Sequence, residues 1–375
     1  MEHPSAPKTP GLSRMREESR GKRVILVTGG AGYIGSLLVR RLLRRGYHVR
    51  VLDSLLYGGM PLQDLRESRD FTLIRADLRH GSSVAEAVRG VDAVIHLGAI
   101  VGDAACAINE NLTLDTNLHS VRALAELCKS YGVPRLLFAS SCSVYGASEN
   151  VLDETSALMP LSLYAETKIL AERMLLSLAD ERFAPVLFRF ATAYGYSHRP
   201  RFDLVINLLT AKAHSDRQIT IFGGNQWRPF VHADDIGRAL IVTLEAPLQK
   251  VAGQVFNVGT NSQNYQLIKV GKLIKEVIPS AELTVDSRIT DKRNYYVRFD
   301  KFRTVVGFRA VHGMRRSIVE LASALDHGAM GTYLDSRYDN SKYLSAALSE
   351  KNADLKHVLK EPAVMVSEEL SKSIA

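Results

Sequence analysis

Cysteine is scarce in this sequence. Three occur in 375 residues, Cys106, Cys128 and Cys142, widely spaced and with no CxxC pair. Neither a disulfide framework nor a zinc site follows from that pattern, so no metal is expected, and a reducing cytoplasm fits it. No apolar run is long enough to span a bilayer. The first twenty residues lack the apolar core of an export signal; they are polar, interrupted by Pro4, Pro7 and Pro10, and read as a disordered tail. Internal repeats and low-complexity stretches are absent. So is any basic stripe interleaved with aromatics of the kind that binds single strands, although the formal charge is +8. Part of that excess lies in Lys8, Arg14, Arg16, Arg20, Lys22 and Arg23, against Glu2, Glu17 and Glu18. A basic balance reads first as solvated surface and second as a surface for an anionic substrate. No nucleic-acid or membrane partner is expected.

Hydrophobic residues make up 46% and charged residues 23%, an ordinary globular balance. The front half alternates short apolar strands with amphipathic helices. RVILV at Arg23 to Val27, His48 to Leu52, Phe71 to Ile74, Ala93 to Leu97, Arg135 to Ala139 and Val186 to Phe190 read as strands. Between them, Tyr33 to Arg45, Val84 to Val88 and Leu118 to Tyr131 read as helices. This alternation, with β-branched strand centres, predicts an α/β fold built on a doubly wound parallel sheet. After about Gly195 connections lengthen and Arg, Asn, His and Asp gather in loops. Val255 to Val258 revisits the sheet, and from Asp326 the chain reads as weak helix plus tail. The expected organisation is a tail over 1–20, a nucleotide-binding domain over 21–195, a smaller substrate region over 196–325 and a C-terminal extension over 326–375.

The first strand runs into TGGAGYIG, with Gly29, Gly32 and Gly35 at spacing three, and then into a helix. Glycine permits the tight turn and lets the backbone approach a pyrophosphate at the helix N-terminus. Asp53 ends the second strand at the spacing expected of a carboxylate that holds the adenosine ribose. It favours NAD over its 2′-phosphorylated form. Asp77 and Leu78, after the third strand, suit an adenine contact.

Tyr164 and Lys168 stand at i and i+4 in YAETK, on one face of a helix. An ammonium beside a phenol lowers the tyrosine pKa, and a tyrosine so poised takes a proton from a sugar hydroxyl. Upstream, the strand in LLFASSCSVYG ends at Ser140-Ser141, on the sheet edge where such folds bind ligands.

These motifs, with HLGA at His96 to Ala99 and Asn117, resemble the extended short-chain dehydrogenase/reductase superfamily. Within it the chain is similar to the NAD-dependent nucleotide-sugar epimerase/dehydratase family, of UDP-glucose 4-epimerase type, from about Arg23 to Leu321. The resemblance implies a Rossmann-type sheet with a smaller C-terminal substrate-binding region. It implies Ser141, Tyr164 and Lys168 as catalytic residues, the last two also touching the cofactor. Gly29, Gly32, Tyr33, Ile34, Gly35, Asp53, Asp77, Leu78, Leu97, Ala99 and Asn117 are the expected NAD site, Asn117 also supporting the active-site helix. Cys142, Ser143, Thr192, Asn207, Arg228 and Arg293 are the expected substrate contacts, with the two arginines on the diphosphate. Family members usually carry Asn where Thr192 stands. Trp227, the only tryptophan, reads equally as core or as a wall of the site. A homodimer is implied through the Tyr164 helix and the helix after Asn117, where Leu170, Ala171, Met174 and Leu175 offer an apolar face.

Sugar 4,6-dehydratases carry an Asp-Glu pair at the positions of Cys142 and Ser143, and related decarboxylases a glutamate at the second; both are missing here. Cys142 is either a small packing residue or a thiol near the sugar. What remains is chemistry at C4: epimerisation of a nucleotide-diphosphate sugar through a 4-keto intermediate. Net oxidoreduction or dehydration of the same substrate class, and a non-catalytic NAD-sensing or RNA-binding role, are the alternatives.

Overall fold

The protein is described by a computed structural model in which residues 21–288 and 293–349 are placed. Its centre is a seven-stranded sheet of β1 (Val24–Thr28), β2 (His48–Asp53), β3 (Phe71–Arg75), β4 (Ala93–His96), β5 (Arg135–Ser141), β7 (Ala184–Phe190) and β11 (Val255–Val258). The order is β11-β7-β5-β4-β1-β2-β3, and every pairing is parallel. The central strands β1, β4, β5 and β7 are buried along nearly their whole length and are near-continuous apolar runs, which is why they were legible as such, whereas β3 at the sheet edge buries only Phe71. The late strand β11 docks beside β7, completing the sheet as the Val255 to Val258 segment predicted. Strand order reverses between β4 and β1. The loops leaving those two strands diverge there and open a crevice at the carboxyl edge.

The first helix, Gly35–Arg44, buries Leu38, Val39 and Leu42 against the sheet and places Arg41 and Arg44 in its last turn, where the helix dipole favours cations. It begins two residues later than the apolar pattern predicts, because 29–34 form the turn. One apolar cluster covers each face of the sheet, and a third runs from Tyr194 to Met330 around Phe230, Ile219 and Ile318. That third cluster lies under short strands that read as loop in the sequence. β10 (Trp227–His232) pairs in parallel with β8 (Thr192–Tyr194) and antiparallel with β12 (Asn264–Gln266). Two further parallel pairs are β9 (Gln218–Phe222) with β13 (Glu282–Asp286), and β6 (Val151–Leu152) with β14 (Tyr296–Val297).

A buried ion pair crosses the sheet–helix boundary. Arg189 on β7 donates from Nη2 to Glu172 Oε2 at 2.7 Å and from Nε to Oε1 at 3.0 Å. Glu172 belongs to the helix Leu163–Ser177. Ser140 Oγ donates to the same carboxylate, and Arg189 Nη1 reaches Tyr145 Oη at 3.0 Å. Both charged residues are buried, so the pair is held by hydrogen bonds on nearly every side. A second charged cluster joins the two halves of the chain. Asp234 takes two hydrogen bonds from Arg41 and lies 3.0 Å from His312 Nε2. The His312 ring stacks on His232 at 4.3 Å, and its backbone N–H donates to Asp235 at 2.9 Å. The Asp234 contact raises the His312 pKa above its ordinary value, against partial burial. Asp235 and Glu320 add negative charge on the same side.

Two measurements test these interactions. Glu172→Leu leaves the Arg189 cation buried without its partner and should cost about 3–5 kcal/mol in urea unfolding, most of it recovered in Glu172→Leu/Arg189→Met. A single-variant cost under about 1 kcal/mol would mean that water reaches the pair. His312 binds its proton more tightly folded than unfolded, so its contribution is present below the unfolded pKa and is lost as pH rises through the folded one. The stability gap between wild type and His312→Asn should therefore narrow from pH 5.5 to pH 8.5, a buffer choice of about one unit below and two above the ordinary histidine value. A gap independent of pH would remove the charge from the account.

Candidate active site

The crevice at the strand-order reversal is a cleft of about 800 Å³. That is the upper range for small-molecule sites. The phosphate loop forms its floor. Gly29 has φ +72, and its N–H donates to Leu52 O on β2 at 3.0 Å. A Cβ at Gly35 would fall 2.2 Å from Gly29 O, so the helix can start this close to the loop only without a side chain. No side chain caps that helix, and Gly29, Gly32, Ile34 and Gly35 line the cleft. Tyr33 lines it too, with its hydroxyl committed to Gly195 O at 2.6 Å.

Asp53 joins the loops after β1 and β2. Its Oδ2 accepts from Ala31 N–H at 2.9 Å and its Oδ1 from Leu55 N–H at 2.8 Å. Burial raises its pKa, and those two N–H groups oppose the shift. Asp77 lines the cleft while held by Arg79 at 2.8 Å, and Leu78, Leu97 and Ala99 wall the space above the loop. Behind them Thr28 Oγ1 and His96 Nδ1 are 2.7 Å apart. Burial, and then the charge of Lys168, push the His96 pKa down to about 3, which keeps the ring neutral.

Ser141, Tyr164 and Lys168 converge on this cleft. Ser141 ends β5; its Oγ accepts from Ser143 N–H at 3.1 Å and reaches Ser143 Oγ at 3.0 Å. Tyr164 and Lys168 ride the first two turns of Leu163–Ser177, whose N-cap is Ser162, accepting from Ala165 N–H at 3.3 Å. Ser162 Oγ in turn donates to Asp103 Oδ1 at 2.7 Å. Lys168 Nζ sits 4.8 Å from the Phe138 ring centre and 5.8 Å from that of Tyr164. Burial lowers the Lys168 pKa to about 8. Burial also pushes the Tyr164 phenol above its ordinary range, opposed by the hydrogen bond with Ser141 and the charge of Arg201. In this site burial outweighs the cations near the phenol.

The expected substrate residues divide. Ser143, Thr192, Arg228 and Arg293 line the cleft. Arg228 is buried, with its guanidinium 5.5 Å over the Tyr295 ring and a bond to Arg293 O. Arg293 forms a 3.1 Å ion pair with Asp103. Cys142, Asn207 and Asn117 do not line it. Cys142 Sγ donates to Arg189 O at 3.3 Å inside the core, and burial raises its thiol pKa. Asn207 accepts from Gly195 N–H at 2.9 Å and donates to Arg201 O at 3.0 Å, so it braces the loop beneath the site. Asn117, in a widened π-helical turn, accepts from Ile100 N–H and donates to Ile100 O, both at 2.9 Å. It braces the cleft wall through Ile100. Trp227 lies outside the cleft, edge-on to Tyr296 at 5.5 Å. Sequence reasoning missed Arg199, Arg201, Tyr57 and Tyr295, which line the cleft. The arginines two apart in RPRFD were the available signal.

The profile of the NAD dependent epimerase/dehydratase family matches residues 25–259. The chain is 31% identical over 264 residues to an uncharacterized UDP-glucose epimerase, YtcB, of Bacillus subtilis (strain 168), covering 68% of this chain and 81% of YtcB. It is 30% identical over 266 residues to a UDP-glucuronate 4-epimerase of Thermodesulfobacterium geofontis, covering 68% and 80%. The solved structure of MoeE5 in complex with UDP-glucuronic acid and NAD superposes with a TM-score of 0.71 at 30% identity, covering 81% of this chain and 99% of MoeE5. Sugar 4,6-dehydratases are among the further matches. The seven-stranded parallel sheet agrees with these matches, and this chain belongs to the NAD dependent epimerase/dehydratase family.

Proposed function

We propose that this protein epimerises a nucleotide-diphosphate sugar at C4 with NAD. The observation that carries the reading is the convergence of Ser141, Tyr164 and Lys168 on the cleft that holds the phosphate loop and Asp53, with no carboxylate at positions 142 and 143. Acids near the catalytic set are engaged: Asp103 with Arg293 and Ser162, Asp203 with Arg201, and Glu172 with Arg189 and Ser140. A dehydratase needs a free acid and base to expel water, so the cleft favours epimerisation. UDP sugars in the names of the relatives support a uridine-diphosphate sugar as substrate.

NAD, when bound, supplies the acceptor that takes hydride from the sugar carbon and returns it. Asp53 and the glycine loop are the groups that would hold it. Ser141 holds the C4 oxygen by hydrogen bond, and Tyr164 withdraws its proton. Lys168, one turn along, stabilises the Tyr164 phenolate that takes this proton and becomes the neutral phenol. Arg228 and Arg293 anchor the diphosphate while the 4-keto ring turns to present its other face to the returning hydride, and Tyr164 gives the proton back to the C4 oxygen. Arg293 exchanges its Asp103 partner for phosphate, and Arg228 stands ready-made in the wall.

A homodimer through the Tyr164 helix belongs to the same proposal. Leu170 and Leu176 support it, being exposed, whereas Ala171 and Leu175 are buried within the subunit. Three buried, unpaired cysteines support a cytoplasmic setting, and no described helix is long and apolar enough to cross a membrane.

Purified protein incubated with NAD and a panel of nucleotide sugars should give a product of unchanged mass and altered chromatographic retention. Loss of water or carbon dioxide, or a net change of two hydrogens, would overturn the epimerase reading. Tyr164→Phe should lower kcat about 10²- to 10⁴-fold while NAD stays bound; unchanged turnover would exclude Tyr164 as the base.

A further inference from the structure

The segment after the third apolar cluster lies beyond the family match, which ends at residue 259, yet it reaches into the cleft. A short turn at Ser336–Tyr338 leads into a helix, Asn340–Leu348, and Asn340 and Ser341 at its start line the cleft wall. The segment touches three cleft loops. Tyr343 packs on Tyr57, in the loop after β2, with ring centres 5.5 Å apart. Asn340 Nδ2 donates to Val101 O at 3.3 Å, and Leu344, fully buried, joins a cluster with Ile100, Cys106 and Tyr164. Phe202 N–H donates to Tyr338 O at 2.8 Å, and Arg199 Nη2 to Arg337 O at 3.2 Å. These contacts fix the helix in place over the opening between β2 and β4.

Where the segment meets the cleft, polar atoms are buried with nothing to bond. Arg199 is 3% exposed and Asn340 4%, and Arg199 Nε, Asn340 Oδ1 and Tyr57 Oη have no partner. Arg199 stacks 4.2 Å over the Tyr57 ring. Burial, followed by the charge of Arg201, lowers its pKa to about 10, as for a cation whose anion is missing. Buried polar atoms left without partners cost stability unless a ligand completes them. The set is two donors suited to a phosphate oxygen and one acceptor suited to a hydroxyl. Its place selects the ligand. Tyr57 follows Asp53 by four positions in the loop after β2, the side of the sheet where a dinucleotide lays its adenosine half, away from Ser141 on β5.

We propose that the C-terminal segment 336–348 is a built-in wall of the dinucleotide site, with Arg199 and Tyr57 meeting a cofactor phosphate and Asn340 a ribose hydroxyl. The proposal rests on the NAD reading above and adds to it a means of retention. An epimerase regenerates its cofactor at each turnover, so a fixed wall over that cofactor imposes no penalty on the cycle, whereas an enzyme exchanging cofactor would have to open it.

The test uses the full chain loaded with NADH and chased with excess NAD, release being followed by fluorescence. Asn340→Ala/Leu344→Ala should release NADH about tenfold faster, and Arg199→Ala should bind NADH about 10- to 100-fold more weakly, as expected for lost hydrogen bonds to a charged group. Ser345→Ala, on the exposed side of the same helix, should release at the wild-type rate. Asn340→Ala alone leaves Leu344 in its apolar cluster and carries the test should the double variant fail to melt cooperatively. Release and affinity within about twofold of wild type in folded variants would overturn the proposal, since a lost hydrogen bond of ordinary strength gives more. So would weakened binding of UDP with NADH unaffected, which would place the phosphate of the substrate there. Wild-type protein that holds NADH but turns over no nucleotide sugar would instead overturn the epimerase reading and leave the wall standing.

Discussion

The Arg189–Glu172 pair is the constraint on which the catalytic geometry depends. Tyr164 and Lys168 lie on the first turns of a helix whose buried anchor is Glu172, one turn beyond Lys168. The bidentate grip of Arg189 ties that helix to β7, and the Ser140 hydroxyl ties the same carboxylate to the end of β5. Ser141 follows directly. The strand that carries Ser141 and the helix that carries Tyr164 are thus registered to each other through one carboxylate. Hydrophobic packing alone leaves a helix free to slide or rotate at little cost, whereas a buried pair with directional bonds does not.

That interaction was invisible in the sequence because nothing in a charge pattern says which arginine is buried. Arg189 reads as one polar residue in an apolar strand, and Glu172 as a surface glutamate on a helix. The legible parts were those carried by local chemistry. The glycine loop needs residues without Cβ at defined places, and Gly35, with Gly29 O within 2.2 Å of any added Cβ, shows why. The parallel strands were legible because burial on both faces demands apolar runs. The short strands of the substrate half were not, being two to six residues long and only partly apolar.

The three asparagine and cysteine assignments that the structure moved off the cleft share a cause. Motif position places a residue within a few ångströms of a site, but the side chain can face either way. Asn117 and Asn207 spend their amides on backbone groups, a role their paired donor and acceptor fit well. Cys142 opens the 3-10 turn Cys142–Tyr145 that follows Ser141, and there its thiol turns into the core while Ser141 and Ser143 line the cleft. The change from strand to turn at this point carries no signal in SSCSVYG, so the side on which the thiol falls was not legible.

Burial shapes the chemistry of the cleft. It raises the Tyr164 phenol and lowers Lys168 to about 8 and Arg199 to about 10. Each shift disfavours the charged form. A cationic nicotinamide would favour the Tyr164 phenolate and a diphosphate the charged forms of Lys168 and Arg199, because in a site stripped of water each added charge acts at low screening. Seating the cofactor would therefore ready the proposed base. In a reaction whose intermediate is a ketone that must turn and be reduced again, that coupling matters: it keeps the proton and hydride steps inside a closed, occupied cleft.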